Sequence, residues 1–272
     1  MSYWLQEWRW PQVADYLKGN DMILIPVGST EQHGPHLPLM TDAAWAIDVA
    51  EGAAERAKVL IAPPLWFGWA PHHLAYPGTI SLRPDTLMAV VEDTCYSLVY
   101  HGFKRLLIIN GHRVANLPPL EIAITRVRNK TGAYVAVIDV ALIALKEVER
   151  IVDAEVGSIW HAAAAETSFM LYKHGDLVEM SQAVRRMPTL DKRFLHSPIS
   201  MESRLDWNRV LTKSTIEEFK AATQPTGITG DPLVASAEKG KKIYEAVVKN
   251  TVEFIEQVRK IEVQLKGVEP PL

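Results

Sequence analysis

The sequence predicts an α/β fold in which helices cover both faces of a mostly parallel sheet. Two observations carry this prediction. Apolar runs of strand length, rich in β-branched residues, recur along the chain, and segments with helical periodicity separate them. Parallel strands need long crossover connections, so this alternation is typical of a parallel sheet buried between helices.

The individual elements follow from the same periodicities. Strands are predicted at Met22–Val27, Lys58–Ala62, Arg105–Ile109 and Tyr134–Val140. Helices are predicted at about 43–56, 85–102 and 116–130. A long final helix is expected to begin at the N-cap pair Asp231-Pro232 and to run to about Leu265.

The domain organisation is expected to be simple. Residues 180–224 mix charges, prolines and scattered aromatic residues without clear periodicity, and we expect them to cover the functional site or to contact another subunit. No repeat, low-complexity tract or long linker divides the chain. We therefore expect a single domain over residues 1–272.

The composition excludes several classes of protein. The 272 residues include 48% hydrophobic and 22% charged side chains with a net charge of -3, which indicates a soluble globular protein without a nucleic-acid partner. No run reaches membrane-spanning length and the N-terminal residues lack a signal-peptide pattern, so we expect a cytoplasmic protein without a membrane partner. Cys95 is the only cysteine, which excludes an intrachain disulfide.

A loop punctuated by glycine and proline, residues 28–42, follows the first predicted strand. It contains Glu31, His33, His36 and Asp42. Because ligands bind at the carboxyl ends of the strands in open α/β sheets, this loop lies where a site is expected. Carboxylate and imidazole groups suit zinc or manganese. The alternative is a polar turn whose histidines bond to the backbone.

Two further clusters favour the metal hypothesis. Asn110-Gly111-His112 directly follows the third strand, so His112 is expected at the same edge of the sheet. His161 and Glu166 lie on an alanine-rich segment that is predicted to be helical. Their side chains would diverge by about 140° on a helix, so we expect Glu166 to bind metal and His161 to face substrate. The alternatives are a hydrogen-bonded turn histidine and a solvated surface glutamate.

Four motifs together resemble the creatininase (creatinine amidohydrolase) family. They are Glu31-Gln-His-Gly-Pro-His-Leu-Pro-Leu39 with Thr41-Asp42, Tyr76-Pro-Gly-Thr-Ile-Ser81, Asn110-Gly-His112 and His161-Ala-x-x-x-Glu-Thr-Ser168. The resemblance runs from about residue 20 to the final helix. It implies a three-layer α/β/α sandwich, two divalent ions of zinc or manganese, ring or amide hydrolysis and commonly a homohexamer.

Carried over residue by residue, the resemblance implies that Asp42 bridges two ions. The implied ligands are Glu31, Asp42 and His112 for one ion and His33, Asp42 and Glu166 for the other. His161 aligns with the histidine that the family places over the substrate, and we expect it to pass a proton to the leaving group. The alternative is that it only donates a hydrogen bond to the substrate.

Substrate contacts are expected from His36, His72, His73, Arg113 and Trp160. The His72-His73 pair occupies the substrate loop of the family. The guanidinium group of Arg113 is a planar hydrogen-bond donor next to the implied ligand His112, which favours a polar or anionic substrate. The alternative is that Arg113 pairs with a nearby carboxylate. Creatininase proper carries glutamate where Val114 stands and tryptophan where Gly157 stands, which argues against creatinine itself.

The first functional hypothesis is a metal-dependent hydrolase that opens a C–N bond, in a cyclic or formyl amide, of a small polar metabolite. An alternative keeps the metal site and opens a C–C bond in a cyclic ketone such as 3-dehydro-scyllo-inosose. A second alternative is a non-catalytic metal-binding assembly protein. The presence of all five expected ligands argues against this last alternative.

Overall fold

A four-stranded parallel sheet forms the centre of the protein. The computed structural model describes residues 2–153, 158–187, 214–267 and 269. Within them the strand order is β2-β1-β3-β4, with β1 at Met22–Val27, β2 at Leu60–Ile61, β3 at Arg105–Asn110 and β4 at Tyr134–Asp139. Met22 pairs with Arg105, and Arg105 with Tyr134, so three strands end at the same edge of the sheet. All four predicted strands are present, but β2 is shorter than predicted, because Lys58 caps the preceding helix.

Helices flank this sheet on both sides. Those among the described residues are α1 (Trp10–Tyr16), α2 (Thr41–Ala57), α3 (Pro84–Tyr100), α4 (Arg113–Thr131), α5 (Leu145–Ile151), α6 (Ala164–Lys173), α7 (Ile216–Thr223) and α8 (Ala237–Arg259). The three helices predicted between the strands are confirmed as α2, α3 and α4. α4 begins three residues before the predicted start, and Pro118 and Pro119 lie inside the helix.

The two faces of the sheet pack into separate hydrophobic cores. Leu24 and Leu107 face α2, α6 and α8, whereas Ile23 and Ile108 face α3 and α4. Successive strand residues point to opposite faces, so strands that are apolar throughout are buried on both sides. Cys95 on α3 lies in the second core. The predicted three-layer α/β/α architecture is confirmed.

The predicted boundaries of the final helix were wrong at both ends. Asp231 Oδ1 accepts the Leu233 N–H (2.9 Å), which closes a local turn instead of a helix cap. The N-cap is Ser236, whose Oγ accepts the Lys239 N–H (3.2 Å). The helix ends at Arg259, and residues up to 267 then run beside the end of α4.

Two other sequence expectations concern membrane-spanning helices and segments outside the described residues. None of the described helices is long and apolar enough to cross a membrane. Gly157, where the chain departs from creatininase proper, lies outside the described residues, and so does the central part of the 180–224 region, residues 188–213.

Candidate metal centre

Glu31 and His33 lie on the loop that leaves the carboxyl end of β1. The Glu31 N–H donates to the Leu39 carbonyl (2.9 Å), and His33 forms an isolated antiparallel bridge with Leu37. The loop therefore folds back on itself before it enters α2. The first turn of α2 carries Asp42. The side chains of Glu31, His33 and Asp42 are all buried.

His112 comes from the turn between β3 and α4. Asn110 shapes this turn, because its Nδ2 donates to the His112 carbonyl (2.9 Å). Gly111 is required at this point, since a Cβ here would overlap the carbonyl oxygen of Asp42. The close approach of the two segments places His112 Nδ1 3.0 Å from Asp42 Oδ2.

His161 and Glu166 are closer together than a helix would allow. α6 begins only at Ala164, so the predicted helical divergence of the two side chains was wrong. Ala162 adopts a left-handed backbone conformation (φ 55°), and its N–H donates to Glu166 Oε2 (2.6 Å). This reversal of the chain brings ligand atoms of His161, Glu166 and His33 within 4.8 Å of one another.

Asp42 lies between the other predicted ligands. Its Oδ1 is 3.2 Å from His33 Nε2, and its Oδ2 faces His112. Glu31 Oε2 lies 3.3 Å from His112 Nε2, and Glu166 Oε2 lies 3.6 Å from His33 Nε2. The fold therefore brings all five predicted ligands into one cluster, with Asp42 in a bridging position.

The cluster fits divalent cations. Three of its buried polar atoms have close neighbours but make no hydrogen bond of good geometry among the described residues: Glu31 Oε1, His33 Nε2 and Asp42 Oδ2. A buried polar atom without a partner is unfavourable, and a cation supplies the missing interaction. Carboxylate and imidazole donors together suit zinc and manganese.

Burial and the crowding of charge shift the pKa values in this cluster. Burial raises the pKa of Glu31 to about 8 and that of Glu166 to about 7. Burial also opposes ionisation of Asp42, but His33 and His112 hold the pKa of Asp42 well below its usual range. Burial disfavours the charged imidazoles, yet the neighbouring carboxylates raise the pKa of His33 to about 10 and that of His112 to about 9. Cations and protons therefore compete for these atoms.

Gln32 and His73 belong to the same cluster. His73 is buried, and its Nε2 lies 3.1 Å from Glu31 Oε1. Gln32 Nε2 lies 2.9 Å from both His73 Nδ1 and His161 Nε2. Sequence reasoning assigned His73 to the substrate loop and missed Gln32. The position of Gln32 between two predicted ligands was the one signal that pointed to it.

The remaining predicted substrate residues lie around this cluster. His36 is buried with Nε2 2.9 Å from Thr167 Oγ1 on α6, and burial lowers its pKa to about 4. The side chain of Arg113 is exposed at the start of α4. Burial raises the pKa of Asp139, and the nearby charge of Arg113 offsets part of that rise. Trp160 is partly buried. Substrate contacts by these residues stay predictions.

α7 brings a further aromatic residue to the substrate loop. Phe219 is buried and packs edge-on against the rings of His72 and His73, at centroid distances of 4.9 Å and 4.7 Å. Tyr76 and Thr223 share a hydrogen bond of 2.9 Å between their hydroxyl groups. Residues 214–224 of the 180–224 region therefore cover the candidate site, which is one of the two predicted roles of that region.

The chain is similar to relatives that carry three different names. It is 28% identical over 256 residues to a 3-dehydro-scyllo-inosose hydrolase from Thermotoga maritima, covering 87% of this chain and 77% of the relative. It is 26% identical over 276 residues to a creatinine amidohydrolase from Pseudomonas putida, with coverages of 94% and 97%. It is 28% identical over 246 residues to a mycofactocin precursor peptide peptidase from Mycobacterium ulcerans, with coverages of 86% and 84%.

Solved creatininases have the same fold. A manganese form superposes with a TM-score of 0.74 at 24% identity, and a mutant of the Zn-Zn type with a TM-score of 0.75 at 24% identity. Each comparison covers 96% of this chain and 100% of the other. The sequence model of the family described as "Creatininase: Creatinine amidohydrolase" matches residues 6–255. The chain therefore belongs to the creatininase family, and it is a hydrolase.

Proposed function

We propose that this hydrolase uses two divalent metal ions to open a C–N bond in a small polar metabolite. The position of Asp42 carries the proposal, because one of its oxygens faces His33 and the other faces His112. Zinc and manganese are the proposed ions, and the Zn-Zn and Mn forms of the solved creatininases support this choice. Glu31 and Glu166 complete the two sets of ligands.

The metal ions would lower the pKa of water and polarise the bond under attack. The protein holds the ligands on a buried loop and on the first turns of helices, which fixes their geometry. His161 lies beside the centre, with its ring centroid 4.3 Å from that of His33. Its side chain is 16% exposed, so a substrate at the centre can contact it.

The proposed substrate is a small molecule with an amide-type C–N bond. The names of two relatives, a creatinine amidohydrolase and a peptide peptidase, describe cleavage of such bonds. Phe219 packs against the histidines of the substrate loop and limits the space beside the centre, which favours a small substrate. Histidine side chains near the centre supply polar contacts for it.

Hydrolysis of a C–C bond in a cyclic ketone is the second candidate. The relative named 3-dehydro-scyllo-inosose hydrolase favours it. A polyhydroxylated ring needs several hydrogen-bonding side chains, and His72 and His161 both lie beside His73, with ring centroids 4.2 Å and 4.4 Å from that of His73. The non-catalytic assembly protein has no support, because the chain is a hydrolase.

Metal content and turnover test the proposal together. The protein, loaded with zinc or manganese, is assayed with creatinine, a formylaminopyrimidine and 3-dehydro-scyllo-inosose, and its metal is measured by mass spectrometry. We expect two ions per chain and turnover of an amide. Turnover of the cyclic ketone alone would select the second candidate. A folded protein that binds no metal ion would contradict both candidates.

Asp42→Asn is the informative variant. We expect it to bind fewer ions and to lose at least about a hundredfold in activity, because the bridging carboxylate is gone. Asp85→Asn is the matched control, since Asp85 also lies in the first turn of a helix but is exposed. We expect its metal content and activity to equal those of the natural sequence.

A further inference from the structure

The backbone fixes the orientation of the buried Gln32 side-chain amide. Its Oε1 accepts the Gly34 N–H (3.0 Å), and its Nε2 donates to the Gly227 carbonyl (3.2 Å). A backbone N–H only donates and a carbonyl oxygen only accepts, so exchanging the oxygen and nitrogen of the amide would lose both bonds. The direction of the NH₂ group is therefore defined.

Two imidazole nitrogens face this NH₂ group. His73 Nδ1 and His161 Nε2 each lie 2.9 Å from Gln32 Nε2. An amide nitrogen does not accept hydrogen bonds, so neither ring nitrogen carries a proton on this side. The two N–H groups of the amide are shared among both rings and the Gly227 carbonyl. An imidazole that accepts at one nitrogen carries its proton on the other. The protons therefore lie on His73 Nε2 and His161 Nδ1.

Both protonated nitrogens lie toward Glu31. Glu31 Oε1 is 3.1 Å from His73 Nε2 and 4.0 Å from His161 Nδ1. By distance alone these three residues form a third group that could hold a cation, since their ligand atoms lie within 4.8 Å of one another. A metal ion needs a lone pair from each imidazole, however, and N–H groups stand there instead.

We propose that Gln32 is a positioning residue that sets the tautomers of His73 and His161 and so keeps both rings out of the metal-ligand set. His161 then presents Nδ1–H to the substrate and donates a hydrogen bond to the oxygen on which negative charge develops. Of the two roles that the sequence predicts for His161, this arrangement favours the hydrogen bond to substrate over the transfer of a proton. The hydrogen bond from His161 to the substrate rests on the proposed function, whereas the assignment of the two tautomers does not.

Gln32→Glu tests this proposal, because a carboxylate of the same size accepts from both rings. We expect the protons to move to His73 Nδ1 and His161 Nε2, which NMR of the protein with ¹⁵N-labelled histidine detects with and without zinc. The freed lone pairs beside Glu31 should raise the bound zinc from two to three ions per chain. We expect kcat to fall about a hundredfold, with a smaller change in KM.

Two further variants complete the experiment. Gln257→Glu makes the same change at an exposed position of α8 and should alter neither tautomers nor kcat. Gln32→Met removes the donor without adding charge, and we expect mixed tautomers and a loss of about tenfold in kcat. It replaces Gln32→Glu if that variant does not fold.

Several outcomes would overturn the proposal. Unchanged tautomers and kcat in both Gln32 variants would do so, as would N–H signals on His73 Nδ1 and His161 Nε2 in the natural sequence. Failure of the natural sequence to bind metal would instead contradict the proposed function. It would leave the test of Gln32 intact, because the tautomers are also measured without zinc.

Discussion

Single buried side chains hold the segments of the site together. The Asn116 side chain, in the first turn of α4, donates to the Gly28 carbonyl (3.0 Å) and accepts the Trp69 N–H (2.9 Å). Gly28 follows β1, and Trp69 lies on the segment between β2 and α3. One fully buried amide thus connects three segments that surround the proposed metal ions.

Asn116→Asp should weaken these connections. The carboxylate cannot donate to the Gly28 carbonyl, so a buried acceptor loses its partner. We expect the free energy of unfolding to fall by about 1–3 kcal/mol, measured by urea denaturation. Asn129→Asp, at an exposed position of α4, should change it by less than about 0.5 kcal/mol. Equal effects of the two substitutions would contradict this account.

A second prediction at the residue scale concerns His174, which follows α6. Its hydrogen bond to Asp48 (2.8 Å) raises the pKa of His174 in the folded state. The charged imidazole is thus favoured by folding. This contribution is fully present below the unfolded pKa of about 6.5 and is lost as the pH rises through the higher folded pKa.

His174→Gln should therefore destabilise the protein more in acid than in alkali. We expect a loss of about 1 kcal/mol in the free energy of unfolding near pH 5.5, and a smaller loss near pH 8.5. Urea denaturation at both pH values measures it. His101→Gln, at an exposed position after α3, is the control. A loss that does not depend on pH would show that the charge of His174 does not matter.

At the scale of elements, the site is built where helices begin. Asp42 and Glu166 lie in the first turns of α2 and α6, and His112 directly precedes α4. The partial positive charge at a helix N-terminus stabilises a nearby carboxylate by about 0.3–1 kcal/mol. These elements also hold the ligands on a rigid framework, which a loop alone does not provide.

Gly111→Ala should disturb this arrangement of elements. The added Cβ would overlap the Asp42 carbonyl oxygen, so the turn after β3 and the start of α2 have to move apart. We expect a loss of about 1–3 kcal/mol in the free energy of unfolding together with weaker zinc binding, measured by denaturation and titration calorimetry. Gly175→Ala is the control, because a Cβ there meets no atom within 4 Å. Unchanged zinc affinity in Gly111→Ala would contradict the prediction.

At the scale of the whole molecule, metal binding should stabilise the fold. The cluster buries the carboxylates of Glu31 and Asp42, and Glu166 beside them is only 22% exposed. Cations that bind only the folded state would therefore raise its stability. At a zinc concentration about a thousandfold above Kd the gain is about 4 kcal/mol. We expect Tm to fall after chelation and to recover with zinc. Asp42→Asn should show a much smaller response, and an equal response would contradict the assignment.

The assembly and the extent of the domain stay predictions. The homohexamer rests on the family resemblance, and light scattering of the purified protein measures it directly. Several apolar side chains are exposed on the isolated chain, including Trp10 at 81%. Exposed apolar surface of this kind is compatible with contacts between subunits.

The sequence by itself was sufficient for the strands, the helices between them and the five residues that the fold brings into the candidate metal cluster. β1 was predicted at Met22–Val27, where it lies, because a strand buried on both faces is apolar throughout. These five residues were predictable because they occur in motifs that resemble one family, and four of them follow the ends of β1 and β3. These signals are local, so a few neighbouring residues contain them.

Only the tertiary structure decided how the ligands and their neighbours meet. Gln32 and His161 are 129 positions apart, and Phe219 lies in a region without periodicity. The four alanines after His161 favour a helix, but α6 begins only at Ala164. The left-handed backbone of Ala162 reverses the chain there, so that His161 lies close to Glu166. Local patterns encode burial and turns, whereas contacts between distant residues depend on how the whole chain packs.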